Sequence, residues 1–220
     1  MGGGIEKRFH PLVPQPFFAG PEYREIPPSP PFAPFIRCFW GTDAFCSGEA
    51  SRKSGLATPD VCMDILFSAS PEKGKMTDVF CGVNDCAYMS SSLPRVKGEF
   101  LFGIRFYAWA VCLFSDRDMR SALNSAGESG LYFGNLASRM REELLSSQTL
   151  TQRKEIAERH LLARLQASRQ DADVMNALNA ILERPHTRLC DLAGGLALSA
   201  RQLERLFLRF TGAPPKKMQA

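Results

Sequence analysis

The sequence predicts an α+β protein, with a small antiparallel β-barrel or sandwich first and helices after it. Three observations carry this. Between Phe35 and Phe114, short β-branched and aromatic runs are punctuated by Gly, Pro and Asn, with no helical period between them. Beyond Phe114 the apolar period changes to i, i+3, i+4. The 220 residues are 45% hydrophobic and 23% charged, the composition of a folded globular chain.

Nine of the fifteen prolines fall between Pro11 and Pro34, so residues 1–34 read as an extended segment. Its Phe9, Phe17, Phe18, Ile26 and Phe32 imply that parts of it pack. Strands are expected at Phe35–Trp40, Val61–Phe67 and Asp78–Val83, the last ending in an Asn84-Asp85 turn. Two more are expected within Arg95–Val111, around Gly98 and Gly103. Arg37, Asp64 and Arg105 are charged residues inside these apolar strands and are expected on an exposed face, because charges are seldom buried. Trp40 and Trp109 read as core.

From Phe114 the chain is expected to turn helical. Leu136, Met140 and Leu144 share a face behind Asn135 as a cap, and Thr151 caps a helix running through Leu165. A third helix begins at Asp171 or Asp173, buries Val174, Leu178, Ile181 and Leu182, and ends before Pro185. Polar Ser168–Asp171 is the expected junction. The division is therefore a proline-rich segment (1–34), a β-rich domain (35–114), a helical linker or dimerisation segment (115–170) and a three-helix C-terminal domain (171–220).

The composition excludes several classes. No run approaches the roughly 20 apolar residues of a membrane span, and Met1–Arg8 lacks the apolar core of a signal peptide, so a cytoplasmic location is expected. Seven cysteines, at 38, 46, 62, 81, 86, 112 and 190, are an odd number with no C-x2-C spacing, and they read as buried thiols rather than disulfides or metal ligands. The three histidines are far apart and no motif surrounds any cysteine, so no enzyme activity, metal or cofactor is expected. Asp60 and Asp64 flank a strand start and need not converge.

The most informative stretch runs from Arg188 to Lys217. Leu189, Leu192, Ala193 and Leu196 make one helical face. Ser199 caps a second helix and Gln202 closes a capping box. Leu203, Leu206, Phe207 and Phe210 form its apolar side, Arg201, Glu204, Arg205 and Leu208 the opposite stripe, with Arg209 beside it. Gly212 suits a C-cap, and Pro214 and Pro215 stop the helix. A helix buried on one side and arginine-bearing on the other is what major-groove reading needs. Charge agrees: Val174–Ala220 holds seven Lys or Arg and three acids, and residues 1–173 balance.

Asp191-Leu192-Ala193, then Leu198-Ser199-x-Arg201-x-Leu203-x-Arg205-x-Phe207, then Gly212 and Pro215-Lys216, resembles the first helix-turn-helix of the AraC family of bacterial transcription regulators. Ala197 stands where that family usually carries the turn glycine, which implies a backbone that avoids positive φ. Pro59-Asp60-x-Cys62-x-Asp64-Ile65-Leu66-Phe67, Phe80-x-Gly82-Val83 and Phe102-Gly103-Ile104-Arg105-Phe106 resemble the β-rich N-terminal domain of one branch of such regulators. Where that branch continues Arg-Phe-x-Pro-Gly-Ala, this chain has Tyr107-Ala108-Trp109-Ala110, and no ligand contact is assigned.

The resemblance implies a sequence-specific transcription regulator on double-stranded promoter DNA. Arg201, Glu204 and Arg205 would face base edges, and Ser199, Arg209, Lys216 and Lys217 would face phosphates. It also implies an N-terminal domain that senses a small-molecule effector or forms a homodimer. Family members carry two helix-turn-helix units, and this chain ends at Ala220, where the connecting helix would begin, so half of a paired reader is expected. The alternative is a ligand-binding or dimerisation module with no DNA binding in this form.

Overall fold

A computed structural model describes residues 9, 23–42, 55–57, 59–70, 74–90, 100–167, 172–184 and 186–218. The strands are β1 (Tyr23–Ile26), β2 (Ile36–Thr42), β3 (Gly55–Ala57), β4 (Cys62–Ser70), β5 (Lys75–Cys81), β6 (Tyr88–Ser90), β7 (Phe100–Tyr107) and β8 (Ala126–Gly127). The helices are α1 (Gly130–Phe133), α2 (Leu136–Leu144), α3 (Leu150–Ala167), α4 (Ala172–Glu183), α5 (Leu189–Gly195) and α6 (Ala200–Thr211). The class is α+β, as expected. Six strands pair antiparallel in the order β1-β2-β7-β4-β5-β8, and β3 pairs with β6 separately. The large sheet is open, with β1 and β8 at its edges, rather than a closed barrel.

β7 is central and all eight of its residues are buried, which requires cover on both faces. Phe102, Ile104 and Phe106 join Met63, Ile65 and Phe67 of β4 and Phe39 of β2 in the principal core, with Leu136, Met140 and Leu144 of α2 and Ala157 and Leu161 of α3. The opposite face carries Cys38, Trp40 and Leu101, with Tyr23 and Leu66 packed against them. Trp40 lies flat on β7 because Gly103 has no side chain; a Cβ there would overlap the indole. Gly103 is thus an accommodation within one strand, not the break that would divide two. The second strand expected near Gly98 falls outside the described residues.

The strand expected at Asp78–Val83 lies earlier in the chain, at Lys75–Cys81. β1 emerges inside the proline-rich segment, where Tyr23–Ile26 pairs with Phe39–Thr42. Phe32 is buried and Phe9 stacks edge-on to Tyr107 and Trp109, so that segment does pack; Phe17 and Phe18 lie outside the described residues. Cys38, Cys62 and Cys81 are buried thiols, whereas Cys86 and Cys190 are exposed; Cys46 is outside the described residues.

Residues 115–125 are turns rather than helix. Asn135 makes no side-chain capping bond to α2. α3 starts before Thr151: Thr149 Oγ1 accepts the Gln152 amide and Gln152 Oε1 accepts the Thr149 amide, so Thr151 sits inside the helix. Asp173 likewise lies within α4; Asp171, Pro185 and the 168–171 junction are outside the described residues, as is the Leu182 side chain.

α3 is held to the sheet by Arg153, which is fully buried and has no carboxylate partner among the described residues. Its guanidinium donates to the Thr42 carbonyl, Ser147 Oγ and the Gln148 carbonyl and lies 3.6 Å over the Phe100 ring. Burial pulls it down to about 10. Among the described residues, no helix is long and apolar enough to cross a membrane.

Candidate functional site

Two places gather chemistry. The first is α6. Ser199 takes extended backbone angles, its Oγ accepts the Gln202 amide at 3.2 Å, and Gln202 Oε1 accepts the Ser199 amide at 2.8 Å. The capping box expected from sequence is therefore present, and it satisfies otherwise unpaired donors of the first turn. Gly212 closes the helix at φ 70°, and a Cβ there would sit 2.7 Å from the Met119 carbonyl.

Leu203, Phe207 and Thr211 are buried, while Arg201, Glu204, Arg205 and Arg209 are exposed. Leu203 and Phe207 on the expected apolar side and the exposed charged stripe follow the periodicity, whereas Leu206 and Phe210 are only half-buried, as is Leu208 on the expected opposite stripe. α4, α5 and α6 pack on one another, with Val174, Leu178, Ile181, Leu192 and Ala193 buried between them. Between α5 and α6, the Leu198 amide reaches back to the Ala193 carbonyl at 2.9 Å. Ala197 there adopts φ 55°, so the turn does not avoid positive φ; its Cβ carries strain that a glycine would not.

The far end of α6 is fastened to the sheet. The Arg209 carbonyl accepts the Met119 amide at 2.8 Å, and the 119–125 turn is bonded to the end of β5 through Asn124 N to Val83 O and Gly82 N to Ser125 O. Lys216 and Lys217 are exposed on a 3-10 turn, Pro215–Met218. Lys217 Nζ lies 3.3 Å from Asp85, whose carboxylate is held below its usual range by Asn124 and then by Lys217.

The second place was missed by sequence reasoning. Asp64 and Arg105 are 4% and 3% exposed, not on a solvent face. The cause is register: Asp64 of β4 stands opposite Arg105 of β7, which also faces Cys38 of β2, on the second sheet face. Asp60 does converge on them, since its carboxylate pairs closely with Arg105 Nη2. Arg105 Nη1 is 3.7 Å from Asp64 Oδ2 and has no hydrogen-bond partner among the described residues, while Asp64 Oδ1 accepts the Trp40 indole N–H at 2.9 Å. Tyr23 OH donates to Glu25 at 2.6 Å beside them, with its ring 5.9 Å from Trp40. Arg37 is only half-buried. The signal available in sequence was two opposite charges in neighbouring apolar strands, which points to an ion pair once the strands are known to be adjacent.

Burial pushes Asp64 up to about 7, opposed by the Trp40 hydrogen bond, and lowers Arg105. It also raises the Tyr23, Cys38 and Cys62 hydroxyl and thiols, which makes those cysteines poor nucleophiles. Folded Asp64 therefore holds a proton that the unfolded chain releases above its ordinary 3.8. Its contribution is fully present below that value and is lost as pH rises towards 7. Relative to Asp64→Asn, the wild type should lose on the order of 2–4 kcal/mol of stability between pH 4 and pH 8. Urea melts of both proteins across that range check this, and parallel curves would show that Asp64 does not titrate there.

Residues 24–127, from β1 through β8 and a little under half of the chain, match the family model of a domain of unknown function, DUF6597. No curated protein and no solved structure matches the chain.

Proposed function

We propose that the chain is a sequence-specific DNA-binding transcription regulator of the AraC type, with α5 and α6 as its helix-turn-helix and the sheet domain as a sensing or dimerising unit. The observation that carries this reading is the two-sided character of α6. Leu203 and Phe207 are buried, while Arg201, Glu204, Arg205 and Arg209 project from a helix held in place at both ends. The arginines suit guanine edges, Glu204 suits a cytosine amino group, and Arg209 with Lys216 and the Ser199 end suits phosphate.

The test is a titration of the 220-residue chain against genomic fragments and random DNA near physiological salt. Arg205→Ala should cost roughly 1–3 kcal/mol of specific affinity and relax one base pair. Arg209→Ala should weaken all sequences alike and reduce the salt slope by about one. If no fragment is preferred over random DNA, the reading fails.

The second reading is a ligand-binding or dimerisation module without DNA binding. Lys217 favours it, because its ion pair with Asp85 offsets one of the charges assigned to phosphate. Sedimentation of the chain with and without DNA separates the two.

A further inference from the structure

Between β5 and α2 lies a cleft of about 400 Å3 that neither α6 nor the buried ion cluster uses. Its volume is within the range, about 300–1,000 Å3, of small-molecule sites. Asp78 of β5 organises it. One carboxylate oxygen accepts the hydroxyl of fully buried Ser129, and the other forms an ion pair with Arg141, 3.1 Å from its Nε.

Those two contacts engage both Asp78 oxygens and hold the guanidinium beside the cleft. They leave both Arg141 Nη groups without a partner among the described residues, on a side chain still 38% exposed. Ala137, one turn before Arg141 on α2, is small and keeps the space in front of it open. Glu128 lines the same cleft, exposed and without an ion-pair partner among the described residues. A Cβ built on Gly130 meets nothing within 4 Å, so that side is also empty of protein.

A guanidinium whose ion pair lies on its Nε side keeps its two Nη groups for a planar carboxylate. A simple anion would nonetheless enter beside two carboxylates, Asp78 and Glu128, against one arginine. A ligand carrying an ammonium next to its carboxylate removes that conflict. The charges then alternate from Asp78 to Arg141, ligand carboxylate, ligand ammonium and Glu128. We propose that this cleft binds a small zwitterion of the α-amino acid class, its carboxylate on the Arg141 Nη groups and its ammonium on Glu128. The proposal does not depend on the DNA reading and stands or falls separately from it.

The experiment is an amide-resolved NMR titration of the whole chain with L-alanine, acetate and ethylammonium as probes. L-Alanine should shift the Ser129 and Gly130 amides and bind at least about tenfold more tightly than either single-charge probe. Arg141→Gln should weaken L-alanine by about tenfold or more, a thermal melt confirming that the variant is folded. Because that change strands Asp78, Glu128→Gln at an exposed position provides the second test: it should bring L-alanine down to the level of acetate. The proposal is overturned by an absence of L-alanine binding up to about 50 mM, by equal binding of acetate and L-alanine to the wild type, or by unchanged L-alanine binding to Glu128→Gln.

Discussion

Arg105→Met should cost about 3–5 kcal/mol of stability at pH 8, the largest loss expected from any single charge on the sheet. Methionine fills much of the space of the arginine stem, so the loss is electrostatic rather than a cavity effect. The Asp60 and Asp64 carboxylates would remain beneath the second sheet face, 12% and 6% exposed at the side chain, with no other ion-pair partner among the described residues. Both would then take up protons more readily, so the cost should shrink as pH falls towards 5. Adding Asp60→Asn and Asp64→Asn should recover most of the lost stability, because a buried ion cluster replaced as a unit does not leave a bare charge behind. Denaturant melts of the single and triple variants at pH 5 and pH 8 test this. A cost below about 1 kcal/mol, or one that does not vary with pH, would mean that Arg105 does not neutralise the two carboxylates.

That cluster marks the boundary of what the sequence makes legible. Features set by residues close in sequence can be read directly: the Ser199–Gln202 capping box, the Gly212 terminator, and the spacing of Leu203 and Phe207. So can β2 and β4, because apolar residues, β-branched and aromatic ones among them, dominate their runs despite Arg37 and Asp64. Features set by pairing cannot. Whether Asp64 faces water depends on what lies opposite it, and Arg105 reaches that place only when β7 inserts between β2 and β4. β1 has the same difficulty, since Tyr23–Ile26 sits among prolines and becomes a strand through a partner sixteen or so residues away in β2. Gly103 read as punctuation, yet its role is to receive Trp40 from the neighbouring strand. At Ala197 the residue type argued against positive φ, and the closure of α5 onto α6 imposed it. The α6 face was therefore legible as a surface, whereas the polar interior of the sheet needed the fold.

The division of α6 into two faces makes opposite demands on two neighbouring residues. Phe207 is completely buried and belongs to the same continuous core as Met63, Phe106 and Phe133, so its ring joins the C-terminal helices to the sheet. Phe207→Ala removes that ring where the surroundings cannot readily collapse, because Gly212 is already pressed against the Met119 carbonyl and Thr211 Oγ1 is bonded to the Phe207 and Ala213 carbonyls. It should cost about 3–5 kcal/mol. For a chain of this length that is a fall of roughly 6–20 °C in Tm. Arg205 is exposed and two residues away, and Arg205→Ala should change stability by less than about 0.5 kcal/mol. Circular-dichroism melts of the two variants beside the wild type give the comparison. If Phe207→Ala melts with the wild type, or Arg205→Ala unfolds the chain, the faces of α6 are assigned in reverse. The arginine stripe would then be packing surface, and the case for groove reading would go with it.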